Sequence, residues 1–154
     1  MIYNNLAQLK QDLAPEGRII ALDLGTKTIG VAISDLSRTI SNPKLTINRR
    51  GNRQDFLILE KIINDNKVLA VVIGLPLNMN DSESQMSNFV RRFADSFDQF
   101  LPKIKIIFFD ERLSTFISDD LIKEAGARRK RNQLIDQIAA SFILQSFLDE
   151  LRKS

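Results

Sequence analysis

Apolar and polar positions along this chain alternate between a two-residue and a 3.6-residue rhythm, and the switches mark out the elements. Residues 18–24 and 28–34 are two apolar runs joined by a short turn containing Gly25, the pattern of a β-hairpin. A third strand fits residues 39–48, where Pro43 restricts it to an edge or a bulge. Residues 53–66 place Phe56, Leu59, Ile62 and Ile63 on one side of a helix. The continuous run from Val68 to Ile73, ending at Gly74, suits a strand buried on both faces. Ser82 and Gln85 have capping-box spacing and precede a helix whose stripe is Met86, Phe89, Val90, Phe93, Ala94, Phe97 and Phe100. A further buried strand runs from Ile104 to Phe109 and ends in Asp110-Glu111.

The remaining segments are read the same way. A helix near 115–125 stops at Gly126, the basic stretch 127–131 follows as a loop, and a last helix spans about 133–151. Its inward face carries Ile135, Ile138, Ala139, Phe142, Ile143 and Phe147. At the other end, Ile2, Leu6, Leu9 and Leu13 have near-helical spacing until Pro15-Glu16-Gly17 breaks it, giving a short peripheral helix. Residues 1–17 are thus an N-terminal extension, and 18–154 form a single domain without repeats or linkers. A hairpin and third strand followed by helix–strand units give an α/β protein with a mixed five-stranded sheet flanked by helices. That is the arrangement of the ribonuclease H-like fold.

Composition narrows the chemistry. The 154 residues contain no Cys and no His, which excludes disulfides, thiolate or His-based catalysis, and metal sites built on either residue. Any metal would take oxygen ligands, which suits a hard cation such as Mg²⁺ or Mn²⁺. The net charge of +3 is mildly basic. Basic residues cluster at Arg49, Arg50 and Arg53, and again at Arg128-Arg129-Lys130-Arg131. Each cluster reads equally as a solvated loop or as a contact for a phosphate backbone. No apolar run has the length of a membrane span and no signal peptide is evident, so a cytoplasmic protein is the simplest expectation.

Three carboxylate positions stand out. Asp23 closes an apolar strand, where a carboxylate is costly to bury unless it is paired, hydrogen-bonded or metal-bound. Asp110-Glu111 closes the last strand, and because neighbours along a strand face opposite ways only one of the two reaches a common site. Spacing does not choose between them. Asp136 is expected in the first turn of the final helix, beside Ala139 and Ala140, whose small side chains would let that helix approach the sheet. The bland alternatives are turn residues for the strand-end acids and a helix-dipole partner for Asp136. Asp35 is read as a turn residue. Convergent carboxylates suit phosphodiester hydrolysis, in which divalent ions activate water and stabilise the leaving oxygen.

Four segments carry a family resemblance. They are Asp23-Leu24-Gly25-Thr26-Lys27-Thr28-Ile29-Gly30-Val31-Ala32, Val72-Ile73-Gly74-Leu75-Pro76-Leu77-Asn78-Met79, Asp110-Glu111-Arg112-Leu113-Ser114-Thr115, and Asp136-Gln137-Ile138-Ala139-Ala140 with its continuation to Leu148. In this order they resemble the signatures of the YqgF/RuvX family of pre-16S rRNA nucleases, also called Holliday-junction-resolvase-like proteins. The resemblance runs from about residue 18 to 150. It implies a ribonuclease H-like fold and a Mg²⁺- or Mn²⁺-dependent nuclease that matures the 5′ end of 16S ribosomal RNA, alone or in a pre-ribosomal particle. It also implies products ending in a 5′-phosphate and a 3′-hydroxyl. It maps the metal-binding, catalytic triad onto Asp23, Glu111 and Asp136. The family's basic stretch falls on Lys130-Arg131, diluted here by Asn132-Gln133.

Nucleic-acid contacts are expected from Lys27, Asn78, Arg112, Arg128, Arg129, Lys130 and Arg131. Lys27 could equally pair with an acid, Arg112 hold a carboxylate, and Asn78 serve a turn. Gly25 is expected at a turn with positive φ and Gly30 at a close packing contact; Ser114 and Thr115 are candidate helix caps. Three other functions compete with an RNA nuclease. Cleavage of branched DNA would keep the chemistry and change the substrate. ATP binding would use the Asp-Leu-Gly-Thr-Lys-Thr turn as a phosphate loop, but the chain has no second loop of that kind. A non-catalytic RNA-binding assembly factor would need the basic residues and not the acids.

Overall fold

The runs at 18–24 and 28–34 pair as the expected antiparallel hairpin and form the middle of a larger sheet. A computed structural model describes residues 1–76, 85–110 and 128–154, with side chains from residue 133 onward in the last span. Its strands are β1 (Ile2–Tyr3), β2 (Arg18–Leu24), β3 (Thr28–Ser34), β4 (Ser41–Asn48), β5 (Val68–Leu75) and β6 (Lys105–Asp110). They form one six-stranded sheet in the order β1-β6-β5-β2-β3-β4. The pairs β2–β5, β5–β6 and β1–β6 are parallel, and β2–β3 and β3–β4 antiparallel. The helices are α1 (Leu6–Asp12), α2 (Asn52–Asp65), α3 (Gln85–Phe100) and α4 (Arg128–Lys153).

Alternation along the strands divides the core into two layers. Ile20, Leu22 and Leu24 of β2 face α2 and α3, where Phe56 packs 5.2 Å from Phe93 and 5.1 Å from Phe97 between ring centroids. Ile19 and Ala21 face the other way, onto Ala140, Ile143, Leu144, Phe147 and Leu148 of α4. Strands covered on both faces explain why 18–24 and 68–75 read as continuous apolar runs. β4 is an edge strand, as Pro43 required, and its register with β3 shifts between Val31 and Ala32, with Ala32 opposite Pro43.

Two departures from the sequence reading have physical causes. The sheet has six strands and not five, because Ile2–Tyr3 extends it by pairing with Ile106–Ile107. Ile2 falls at helical spacing with Leu6 and Leu9, but the helix begins only after Asn5, whose side-chain oxygen accepts from the Gln8 amide at 3.2 Å. The segment is also not peripheral: Leu9 is fully buried against α4. At the other end, α4 begins at Arg128, so 128–131 is helix and not loop. Apolar periodicity reports only a helix's packed face, and here that stripe starts at Ile135, although Arg, Lys and Gln are good helix formers. Within α4, Ala139, Ala140, Ile143 and Phe147 are buried as expected, whereas Ile135, Ile138 and Phe142 are half-buried. The Ser82–Gln85 capping box and the 115–125 helix fall on or across residues outside those described. Among the described residues no helix is long and apolar enough to cross a membrane.

Candidate functional site

Asp23 lies near the carboxyl end of β2, half-buried in the middle of the sheet. Leu22 pairs with Ile73, so Asp23 lies beside Gly74, which adds no side chain between β2 and β6. The alternation that turns Ile19 and Ala21 toward α4 turns Asp23 the same way. Its antiparallel partner is Gly30 of β3, and directly opposed residues share a face with Cα atoms about 4.5–5.5 Å apart.

Gly30 has no side chain because α4 occupies that space. A Cβ on Gly30 would lie 2.0 Å from the carbonyl oxygen of Asp136, 2.3 Å from its carbonyl carbon and 2.9 Å from its Cβ. The helix backbone at Asp136 thus rests on the residue that pairs with Asp23, which puts two acidic residues 113 positions apart in sequence on the same face of the hairpin. Thr28, two residues before Gly30 and on the same face of β3, donates its hydroxyl to Oδ2 of Asp136 at 2.7 Å. Burial pushes the Asp136 carboxyl above its ordinary range, and the Thr28 hydrogen bond partly offsets that rise. Asp136 follows Arg128 by eight residues, so it sits about two turns into α4 and not in the first turn. A dipole role fades within the first turn. That bland reading of Asp136 is therefore set aside.

The turn joining β2 to β3 closes with the Gly25 amide donating to the Thr28 carbonyl at 2.8 Å. Gly25 does not take the positive φ expected of it; among the described glycines only Gly17 and Gly51 do. Lys27 is exposed on this turn. Asp110 ends β6 on the surface. Asp35 is the turn residue it was read as, accepting from the Thr39 and Ile40 amides, which hold its carboxyl below the usual range. Arg128, Arg129, Lys130 and Arg131 occupy the first turn of α4. Glu111, Asn78 and Arg112 lie outside the described residues. Arg50 and Arg53 are exposed, but Arg49 is nearly enclosed and bonded to a fully buried Asp55.

Sequence reasoning assigned no role in the site to Thr28 or Asp55. Thr28 had one available signal: it shares the parity of Gly30 and Ala32, a run of small side chains facing α4. Asp55 had none, because an acid in a helix's first turn reads as a dipole partner. Asp23 and Asp136 offer only oxygen donors, in a chain lacking His and Cys, and this fits a hard divalent cation. Among the described residues no group of three or more acids gathers that could hold one, so these two are the described part of any such set.

An antiparallel hairpin feeding parallel strands, with an acid at the end of the central strand and another on the helix laid across it, defines a ribonuclease H-like protein. The chain belongs to the RuvX family, described as Holliday junction resolvase, whose profile matches residues 17–150. A relative from Paracoccus denitrificans named "Putative pre-16S rRNA nuclease" is 41% identical over 153 residues, covering 99% of this chain and 96% of its own. A relative of the same name from Rhodobacter capsulatus is 43% identical over 152 residues, covering 98% and 95%. Among solved structures, Thermus thermophilus RuvC in complex with Holliday junction substrate superposes with a TM-score of 0.54 at 8% identity, over 87% of this chain and 95% of that one. The Fowlpox virus resolvase with Holliday junction DNA gives 0.51 at 17% identity, over 87% and 98%. At such identities these two likenesses speak to the fold alone.

Proposed function

We propose that this protein is a divalent-metal-dependent nuclease acting on precursor 16S rRNA during ribosome biogenesis in the cytoplasm. The observation that carries the reading is the seating of Asp136 on Gly30, the cross-strand partner of Asp23. The name shared by relatives aligned along nearly the whole chain supports the substrate.

Asp23 and Asp136 would hold Mg²⁺ or Mn²⁺, with Glu111 completing the oxygen set. Support for Glu111 comes from the family match, which spans it within residues 17–150. The bound cation supplies Lewis-acid stabilisation of phosphoryl oxygens and a more acidic water. Thr28 fixes the Asp136 carboxylate through one oxygen. Lys27, exposed at the turn, would meet a substrate phosphate, and Arg128, Arg129, Lys130 and Arg131 bring positive charge to the start of α4. Asn78 and Arg112 are further candidate contacts.

Cleavage of a labelled precursor 16S rRNA fragment with Mg²⁺ or Mn²⁺ is the test, run beside a four-way DNA junction. Wild type should cut the RNA in preference. Asp23→Asn and Asp136→Asn should each lower kcat by about a hundredfold or more, the scale on which a single preorganised electrostatic contact acts. Circular dichroism should show both variants folded. Undiminished cleavage by the double variant would falsify the assignment, and preferential cutting of the junction would move the substrate to branched DNA, which the family's description as Holliday junction resolvase favours.

A further inference from the structure

Beneath the turn that joins Asp23 to Thr28 lies a buried ion pair outside the acid site. Arg49 follows β4 and Asp55 lies in the first turn of α2; their side chains are 10% and 0% exposed. Arg49 Nε donates to Asp55 Oδ2 at 3.1 Å, and the Arg50 amide donates to Asp55 Oδ1 at 3.1 Å. The rest of the guanidinium reaches outward. Nη2 donates to the Asn52 side-chain oxygen at 2.7 Å, and Nη1 to the Gly25 carbonyl at 3.3 Å. The Arg49 amide also donates to the Lys27 carbonyl at 2.9 Å. On its other side the guanidinium lies 5.4 Å from the Phe89 ring and 5.3 Å from the Phe93 ring of α3.

One residue therefore ties the first and last residues of the three-residue turn to α2 and α3. Asp23 stands one residue before the end of β2, and Thr28, which holds Asp136, stands immediately after the turn. A planar guanidinium can satisfy a carboxylate, an amide oxygen, a carbonyl and two ring faces together, and an ammonium cannot. Two charges taken out of water gain little net stability over apolar residues of similar volume, so stability alone is a weak account of the pair.

We propose that Arg49, held by Asp55, is a positioning residue for the nuclease reaction: it sets the Gly25–Lys27 turn and through it the spacing of Asp23 from the Thr28–Asp136 contact. The inference rests on the proposed function for its kinetic consequence and on geometry alone for its effect on the turn. Two variants separate positioning from folding. Arg49→Lys keeps the charge facing Asp55 and loses the fork to Gly25. Arg49→Met with Asp55→Asn removes both buried charges while leaving an acceptor for the Arg50 amide. In both, amide hydrogen exchange in the 23–28 peptide should speed up by about tenfold. The 68–75 peptide of β5 and the melting temperature of the double variant should stay at wild-type values. With the precursor rRNA fragment and Mn²⁺, kcat should fall by about tenfold to a hundredfold, the scale of sub-ångström to 1 Å misplacement, with KM within about threefold of wild type. Wild-type turn exchange and kcat in Arg49→Lys would overturn the proposal. If wild-type protein cleaves nothing, the function falls while the exchange measurement still decides the role of Arg49.

Discussion

At the scale of single residues, the candidate site depends on an atom that is missing. The carbonyl of Asp136 fills the place of a Gly30 side chain, and the obstacle is helix backbone, which cannot rotate away. Gly30→Ala should therefore lift α4 off the hairpin, destabilise the protein by about 1–3 kcal/mol in urea unfolding, and cost more cleavage than that loss of stability explains. Gly25 offers the control: a Cβ there would meet the Thr28 carbonyl at 3.0 Å, and its three nearest neighbours all belong to Thr28 and not to a helix. Legibility at this scale was uneven. Asp23 stood out because a carboxylate ending an apolar strand demands a partner. Asp136 was marked, but its reason was hidden, since the apolar stripe placed it more than a turn too early in its helix. Thr28 carried little signal, because a hydroxyl at a strand's start is usual and its partner is 108 positions away.

Elements were legible where both faces or one face of the segment is packed. β2, β3, β5, α2 and β6 fall within a few residues of their expected bounds, because burial forces the period that sequence reading detects. β1 and the start of α4 were missed for the opposite reason. A two-residue edge strand has no period, and its pairing with β6 depends on residues about a hundred positions away. The first turn of α4 carries Arg128, Arg129, Lys130 and Arg131 with no acid among them, so positive charge meets the positive end of the helix dipole. An isolated helix gains nothing from that arrangement, whereas a phosphate backbone would. Replacing all four by Ala should leave the melting temperature unchanged or slightly higher. RNA affinity should fall, and the slope of log K against log salt should shrink by about 0.7 for each phosphate of a single strand that the helix no longer neutralises. Filter binding across a salt series checks this; an unchanged slope would remove the quartet from the interface.

For the whole molecule, the acid site and the stability of the fold are one quantity. Asp136 joins α4 to the central hairpin, and its carboxyl is pushed above the ordinary value of 3.8 chiefly by burial. Native protein therefore binds that proton more tightly than unfolded chain, and by linkage this group's contribution weakens as pH rises from the unfolded value through the native one. Above the native value the full cost of an ionised, half-buried carboxylate is present. Asn keeps an oxygen for the Thr28 hydroxyl and carries no charge. In EDTA at pH 7, Asp136→Asn should thus unfold at a higher temperature than wild type, and the gap should close as pH falls toward about 4, where the unfolded carboxyl protonates. A divalent cation acts in the opposite sense. It favours the ionised site, so Mg²⁺ or Mn²⁺ should raise the melting temperature of wild type by mass action and leave Asp136→Asn much less changed. Paired melting curves with and without metal read both effects. A variant no more stable than wild type in EDTA would mean that Asp136 has its charge balanced by protein groups, leaving a cation little to gain there.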